Sequence, residues 1–129
     1  MTNQYKKFYA AAERLIAPQL LRFAEREFIR HEKPKCPLTD KPLTWENSAV
    51  DYKGSLNFGL IVMDFLESNR IALDNIEFKD EKLKNAYLAQ RFIEFHAARK
   101  DLQLVYKNKT QFNEKLSGLT FETRHFRKD

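Results

Sequence analysis

The sequence predicts a mainly helical α+β protein with one small β-hairpin. Apolar residues recur at helical spacing through most of the chain, which is typical of helices packed on a core. Residues 43–53 combine several β-compatible side chains, including Trp45, Val50 and Tyr52, and the tail 119–129 either adds a strand or stays loose. The chain has 129 residues and fits a single domain. We divide it into an N-terminal helical arm (1–35), a core (36–117) and a basic tail (118–129).

The first half of the chain contains two helical patterns followed by a proline-rich turn. Residues 3–17 are predicted to form a helix, with Phe8, Ala12 and Leu15 on its apolar stripe. Pro18 interrupts this pattern, so 18–32 is predicted as a second helix or a kinked continuation. Prolines between residues 33 and 42 end the helix. Residues 36–53 are predicted to form a hairpin or a loop with two short strands.

The second half is predicted to be helical with one connector. Residues 56–67 are apolar on nearly every side, which indicates a buried central helix. Residues 68–79 are a connector. Residues 80–106 are predicted as one long helix, because Phe92, Phe95 and Leu102 lie close to heptad spacing. Residues 109–117 are predicted as a last helix that Gly118 ends.

Charge is distributed unevenly along the chain. The net charge is +5, but residues 1–35 carry 8 basic and 4 acidic side chains, residues 36–98 carry 7 and 10, and residues 99–129 carry 8 and 4. Basic ends around an acidic middle indicate a polyanionic partner, most often nucleic acid. The alternative is a solvated surface on an ordinary basic protein.

Three arginines stand out within the basic N-terminal part. They follow one another at four-residue spacing, which places them on one face of a helix. The predicted nucleic-acid-binding residues are this row and the basic residues of the C-terminal part: Arg22, Arg26, Arg30, Lys107, Lys109, Arg124 and Arg127.

Composition excludes several kinds of site. The chain has three glycines, too few and too scattered for a phosphate-binding glycine loop. Its one cysteine, Cys36, allows no intramolecular disulfide and favours a reducing compartment. No apolar run reaches the ~18 residues that a membrane span needs, and the N-terminus lacks a signal-peptide pattern. We therefore expect a cytoplasmic protein without a membrane partner.

One stretch of the chain resembles a known nuclease family. The turn "CPLTDKPLTWEN", the strand end "AVDY", the helix "LNFGLIVMDFLESN" and the later "RFIEFHAARKDLQLVYKNKTQFN" resemble the HNH, or His-Me finger, endonucleases over residues 36–113. This resemblance implies a ββα core. It also implies a divalent cation, Mg or Mn, that stabilises charge on the scissile phosphate.

The positions that match the family's catalytic motif are altered. The resemblance places Asp51 at the metal-binding position and Tyr52 where the family has its general-base histidine. Ala49 stands where many relatives carry a further histidine. A phenol, with a pKa of about 10, is a poor base near neutral pH. His96 is the candidate for a rearranged base and a second metal ligand, and its alternative is a core histidine beside Phe92.

Three further residues are expected to be structural. Cys36 lies in the proline-rich turn without an evident orienting partner, which disfavours a nucleophile. Trp45 is expected to anchor the hairpin to the core, and Asn113 to cap or support the last helix.

The sequence therefore predicts a nucleic-acid-associated protein on a degenerate HNH scaffold, which binds without efficient cleavage. Whether the cation is kept or lost stays open. Two alternatives remain open. One is a metal-dependent DNA endonuclease. The other is a small inhibitor or adaptor protein, of a phage anti-defence type, that binds a nucleic-acid enzyme. Fold alone does not decide among them.

Overall fold

A computed structural model describes residues 2–107 of the chain. Three α-helices lie within this part: α1 (Asn3–Arg30), α2 (Phe58–Ser68) and α3 (Ala86–Arg99). A short 3-10 helix, Leu73–Asn75, follows α2. None of the helices in residues 2–107 is long and apolar enough to cross a membrane.

The strands form two small antiparallel sheets. β1 (Ser48–Tyr52) pairs with β4 (Leu102–Tyr106), far along the chain, and β2 (Phe78–Lys79) pairs with β3 (Lys82–Leu83) across a tight turn. The predicted α+β class is confirmed. The predicted hairpin in 36–53 is wrong, because this segment contains one regular strand and its partner lies beyond α3.

Helix α1 runs through Pro18 as one element. Of the two predicted alternatives, a separate second helix is therefore wrong and a continuation of the first helix is confirmed. Proline cannot donate a backbone hydrogen bond, and in a helix interior it costs about 3 kcal/mol. Pro18 itself is exposed, while Ile16, Ala17 and Leu20 around it are buried. Burial of this apolar face offsets the missing hydrogen bond.

The long helix predicted for 80–106 is wrong at both ends. Residues 78–83 form the β2–β3 hairpin, and the helix begins only at Ala86, where the Asn85 side chain accepts a hydrogen bond from the Leu88 backbone N–H. It ends at Arg99, and residues 102–106 continue as a strand. The predicted helix 56–67 corresponds to α2, whose N-cap is Asn57. The predicted helix 109–117 and the basic tail lie outside the described residues.

The chain forms two compact units. The first contains residues up to 16 and residues 55–100; among the described residues, the second contains 17–54 and 101–107. The core of the first unit is a cluster of aromatic rings. Phe92 packs edge-on against Phe8, Phe58 and Phe65, with ring centroids 5.1–6.0 Å apart.

The core of the second unit is the β1–β4 sheet. All five residues of β1 are buried, so both faces of the strand are covered. In the register of this pair, Ser48 lies opposite Tyr106 and Tyr52 opposite Leu102. Backbone bonds extend the pairing at both ends, from Lys53 N–H to the Asp101 carbonyl and from Lys107 N–H to the Asn47 carbonyl.

Candidate functional site

Asp51 and Tyr52 lie at the end of β1, in the second unit. Each is only 4% exposed. The Asp51 carboxylate accepts a hydrogen bond of 2.8 Å from the Tyr52 backbone N–H. This N–H points away from β4, because the odd-numbered residues of β1 make the ladder bonds. Asp51 therefore satisfies a backbone donor at a buried sheet edge, where an unpaired N–H would be costly.

His96 lies in the third turn of α3, in the first unit, and its side chain is fully buried. Its ring centroid is 6.0 Å from that of Phe58 and 6.4 Å from that of Phe92. Burial, and secondarily the positive charge of Lys100, lower the pKa of His96 to about 4. The imidazole is therefore neutral at neutral pH, and a group with this pKa is a weak base.

The predicted grouping of Asp51, Tyr52 and His96 in one pocket stays a prediction. The first two residues belong to the second unit and His96 to the first. Among residues 2–107, no three His, Cys, Asp or Glu side chains come close enough together to hold a metal ion. We therefore derive no chemical step through a cation.

Cys36 is the first residue of a tight turn in the second unit. Its N–H donates to the Lys41 carbonyl and its carbonyl accepts from the Asp40 N–H, at 2.9 and 2.8 Å. Asp40 takes the left-handed conformation that closes this turn, with φ 61°.

The thiol of Cys36 is a hydrogen-bond acceptor inside this turn, and only 1% of the residue is exposed. Burial raises its pKa, but hydrogen bonds from the Thr39 side chain and from backbone N–H groups outweigh that effect. The net pKa of Cys36 is lower than usual.

Trp45 packs against helix α1. Its ring centroid is 5.6 Å from that of Phe28, within the second unit. The indole N–H is buried and has no hydrogen-bond partner among the described residues. Since Trp45 is the only tryptophan of the chain, its fluorescence reports on the C-terminal half of α1.

The predicted arginine row lies on that half of α1. Arg22, Arg26 and Arg30 are all exposed, and the helix places them in successive turns, about 6 Å apart along its axis. Arg30 lies 3.9 Å from the Glu27 carboxylate and is 63% exposed, so this contact is a weak surface ion pair. Within residues 2–107, Arg22 and Arg26 make no ion pair or hydrogen bond through their side chains.

The other predicted binding and structural residues divide between described and undescribed parts. Lys107 directly follows β4 and is half-buried. The rest lie outside the described residues: Lys109, Asn113, Arg124 and Arg127.

A cavity in the first unit was missed in the sequence. It has a volume of about 610 Å³ and lies between the connector after α2 and the start of α3, with Arg70 and Lys84 among its lining residues. The sequence does mark Arg70 as unusual, because this arginine comes directly after the last turn of α2, where a glycine is usual. The cavity itself depends on segments that meet only in three dimensions.

Comparison of the chain with family models, curated proteins and solved structures finds no match. The resemblance to the His-Me finger endonucleases therefore stays a prediction.

Proposed function

We propose that the protein binds nucleic acid through the arginine row of α1 and does not cleave it efficiently. The observation that carries the proposal is the exposure of three guanidinium groups in successive turns of one helix, two of them without an ion-pair partner in the described chain. Guanidinium groups bind phosphate oxygens in a bidentate manner. A straight row of them suits a partner whose charges also repeat along a line.

Repulsion within the arginine row lowers the stability of the helix, which supports a binding role for these residues. Like charges four residues apart on a helix destabilise it by a few tenths of a kcal/mol per pair. Glu27 is the nearby acid that offsets part of this for Arg30, and it also lies 3.9 Å from the His31 imidazole. Arg22 and Arg26 have no such contact in the described chain, so an anionic partner would relieve their repulsion.

The proposed scaffold is a degenerate His-Me finger core. A ββα arrangement would need a strand paired with β1 from residues 36–47. In the described residues, that segment takes part only in an isolated bridge between Lys35 and Pro42. The nucleic-acid proposal rests on the arginine row and does not depend on this scaffold.

Replacing Arg22, Arg26 and Arg30 with alanine together should weaken duplex DNA binding and reduce its salt dependence. Each neutralised phosphate adds about −0.9 to the slope of log affinity against log salt, so the triple variant should flatten the slope by up to about 2–3 units. Fluorescence anisotropy with a labelled duplex, titrated at several salt concentrations, measures the slope.

Two matched variants sharpen this experiment. The lysine version of the same triple variant keeps the charges, so its salt slope should stay near wild type. Alanine at Lys6, Lys79 and Lys82 removes the same charge from exposed sites of the first unit and should leave the slope unchanged. Equal slopes for wild type and the arginine-to-alanine variant would refute the proposal. If association with an acidic protein slowed instead, the inhibitor or adaptor alternative would be favoured.

Purified protein is expected to show no efficient plasmid nicking with magnesium or manganese. Tyr52 stands where the resemblance implies a general base, and His96 is buried with a pKa of about 4. Loss of a general base costs about 10²–10⁴-fold in rate. A supercoiled-plasmid assay measures this. Robust nicking by wild type that Asp51→Asn abolishes, with the variant still folded by circular dichroism, would establish the endonuclease alternative.

A further inference from the structure

The open cavity of the first unit has the size of a small-molecule site. Its volume of about 610 Å³ falls within the roughly 300–1,000 Å³ of typical ligand pockets. Residues 70–72 and 75–77 form one wall, and residues 84, 85 and 88 form the other. None of these residues belongs to the arginine row, so the argument for this site does not rest on the nucleic-acid proposal.

The lining combines an apolar surface with one unpaired positive charge. Ile71, Ile76 and Leu88 provide the apolar part, and Ile76 is buried. Lys84 is neutralised by Glu77, with 3.1 Å between its ammonium and the carboxylate. The Arg70 side chain has no ion pair or hydrogen bond to any residue that the structure describes. The lining therefore carries one net positive charge, that of the Arg70 guanidinium.

Arg70 occupies a backbone position that normally favours glycine. Its φ is 52°, in the left-handed region. Its N–H donates to the Glu67 carbonyl, and the Ile71 N–H donates to the Leu66 carbonyl, which is the Schellman motif that ends a helix. These hydrogen bonds fix the backbone conformation of Arg70. Glycine can replace Arg70 without a change in that conformation.

The wall opposite α3 is fixed before any ligand binds. The Gln4 side-chain amide on α1 donates to the carbonyls of Leu73 and Ile76, at 2.8 and 3.1 Å. A further backbone bond of 3.0 Å joins Lys84 N–H to the Glu77 carbonyl, across the mouth of the hairpin. A preformed wall reduces the ordering cost of binding.

We propose that this cavity binds a small aliphatic carboxylate. The carboxylate pairs with the Arg70 guanidinium, whose planar donors match two carboxylate oxygens. The aliphatic chain contacts Ile71, Ile76 and Leu88 and is removed from water there. A single unpaired cation matches a monoanion better than a doubly charged phosphate, and the apolar side chains favour an anion with an aliphatic part.

Three probes with the same chain and different head groups test the proposal: octanoate, 1-octanol and octylammonium, each below its aggregation concentration. Amide NMR spectra of isotope-labelled protein follow the titrations. Octanoate should shift the amides of Ala72, Ile76 and Leu88 and bind about tenfold or more tightly than octylammonium, because a hydrogen bond to a charged partner is lost with the cation.

The variant Arg70→Gly removes the guanidinium charge while keeping the backbone conformation. Glycine suits the left-handed backbone, so the variant should fold at least as well as wild type. Octanoate should bind it about tenfold more weakly, while 1-octanol binding should not change. Lys82→Ala, an exposed site outside the cavity, is the matched control and should leave all three affinities as they are. Shifts that map elsewhere, equal affinities for the three probes, or undiminished octanoate binding to Arg70→Gly would each overturn the proposal.

Discussion

Phe92→Ala is expected to lower the free energy of unfolding by about 3–5 kcal/mol, the largest effect of any substitution considered for this protein. Phe92 is fully buried, and its ring meets three phenylalanine rings at centroid distances of 5.1–6.0 Å. Truncation removes apolar surface from the core. It also leaves a cavity that these rings can fill only partly, because Phe8 is held on α1 and Phe58 and Phe65 are held on α2.

Urea denaturation measures this effect, with helical circular dichroism as the probe. Tyr87→Ala on the same helix is the matched control, because Tyr87 is 70% exposed and its loss should change stability by no more than about 0.5 kcal/mol. Trp45 fluorescence is a second probe, which follows the unfolding of the second unit. A loss below about 1 kcal/mol for Phe92→Ala would contradict the aromatic core described for the first unit.

Local patterns predicted the helices better than their ends. The apolar stripe around Phe92 correctly indicated a helix, and Asn85 and Asn57 are the kind of N-cap residues that a sequence can reveal. The error lay in extending the helix through 102–106. Leu102, Leu104 and Val105 are buried residues of a strand that pairs with β1, and a partner so distant in sequence leaves no local signal.

The candidate sites show the same division between local and non-local information. Four-residue spacing was enough to place Arg22, Arg26 and Arg30 on one exposed helix face, and α1 confirms the helix that this required. The cavity beside Arg70 could not be predicted, because its walls come from two connectors and the start of α3. The sequence left His96 as either a site residue or a core histidine. Only tertiary packing shows that it is buried.

The burial of His96 should make the protein lose stability in mild acid. The pKa of His96 is about 4 in the folded protein and about 6.5 in the unfolded chain. Between these values the unfolded chain binds the proton and the folded protein does not, so lowering the pH favours unfolding. The contribution of neutral His96 to the free energy of unfolding is fully present above about pH 6.5 and is lost as the pH falls to about 4. Its size is about 3 kcal/mol, since each pKa unit corresponds to about 1.36 kcal/mol.

Urea denaturation at intervals from pH 7.5 to about pH 4 tests this linkage. His96→Gln keeps a polar side chain that does not titrate, so its stability should change much less across this interval, even if the variant is less stable at pH 7.5. His31→Gln is the matched control, because the His31 side chain is 55% exposed and lies beside Glu27 on the surface. It should retain the wild-type pH dependence. If His96→Gln and wild type lost stability in parallel below pH 6.5, the acid sensitivity would come from carboxylates, and His96 would not be the buried neutral base that its ring contacts with Phe58 and Phe92 indicate.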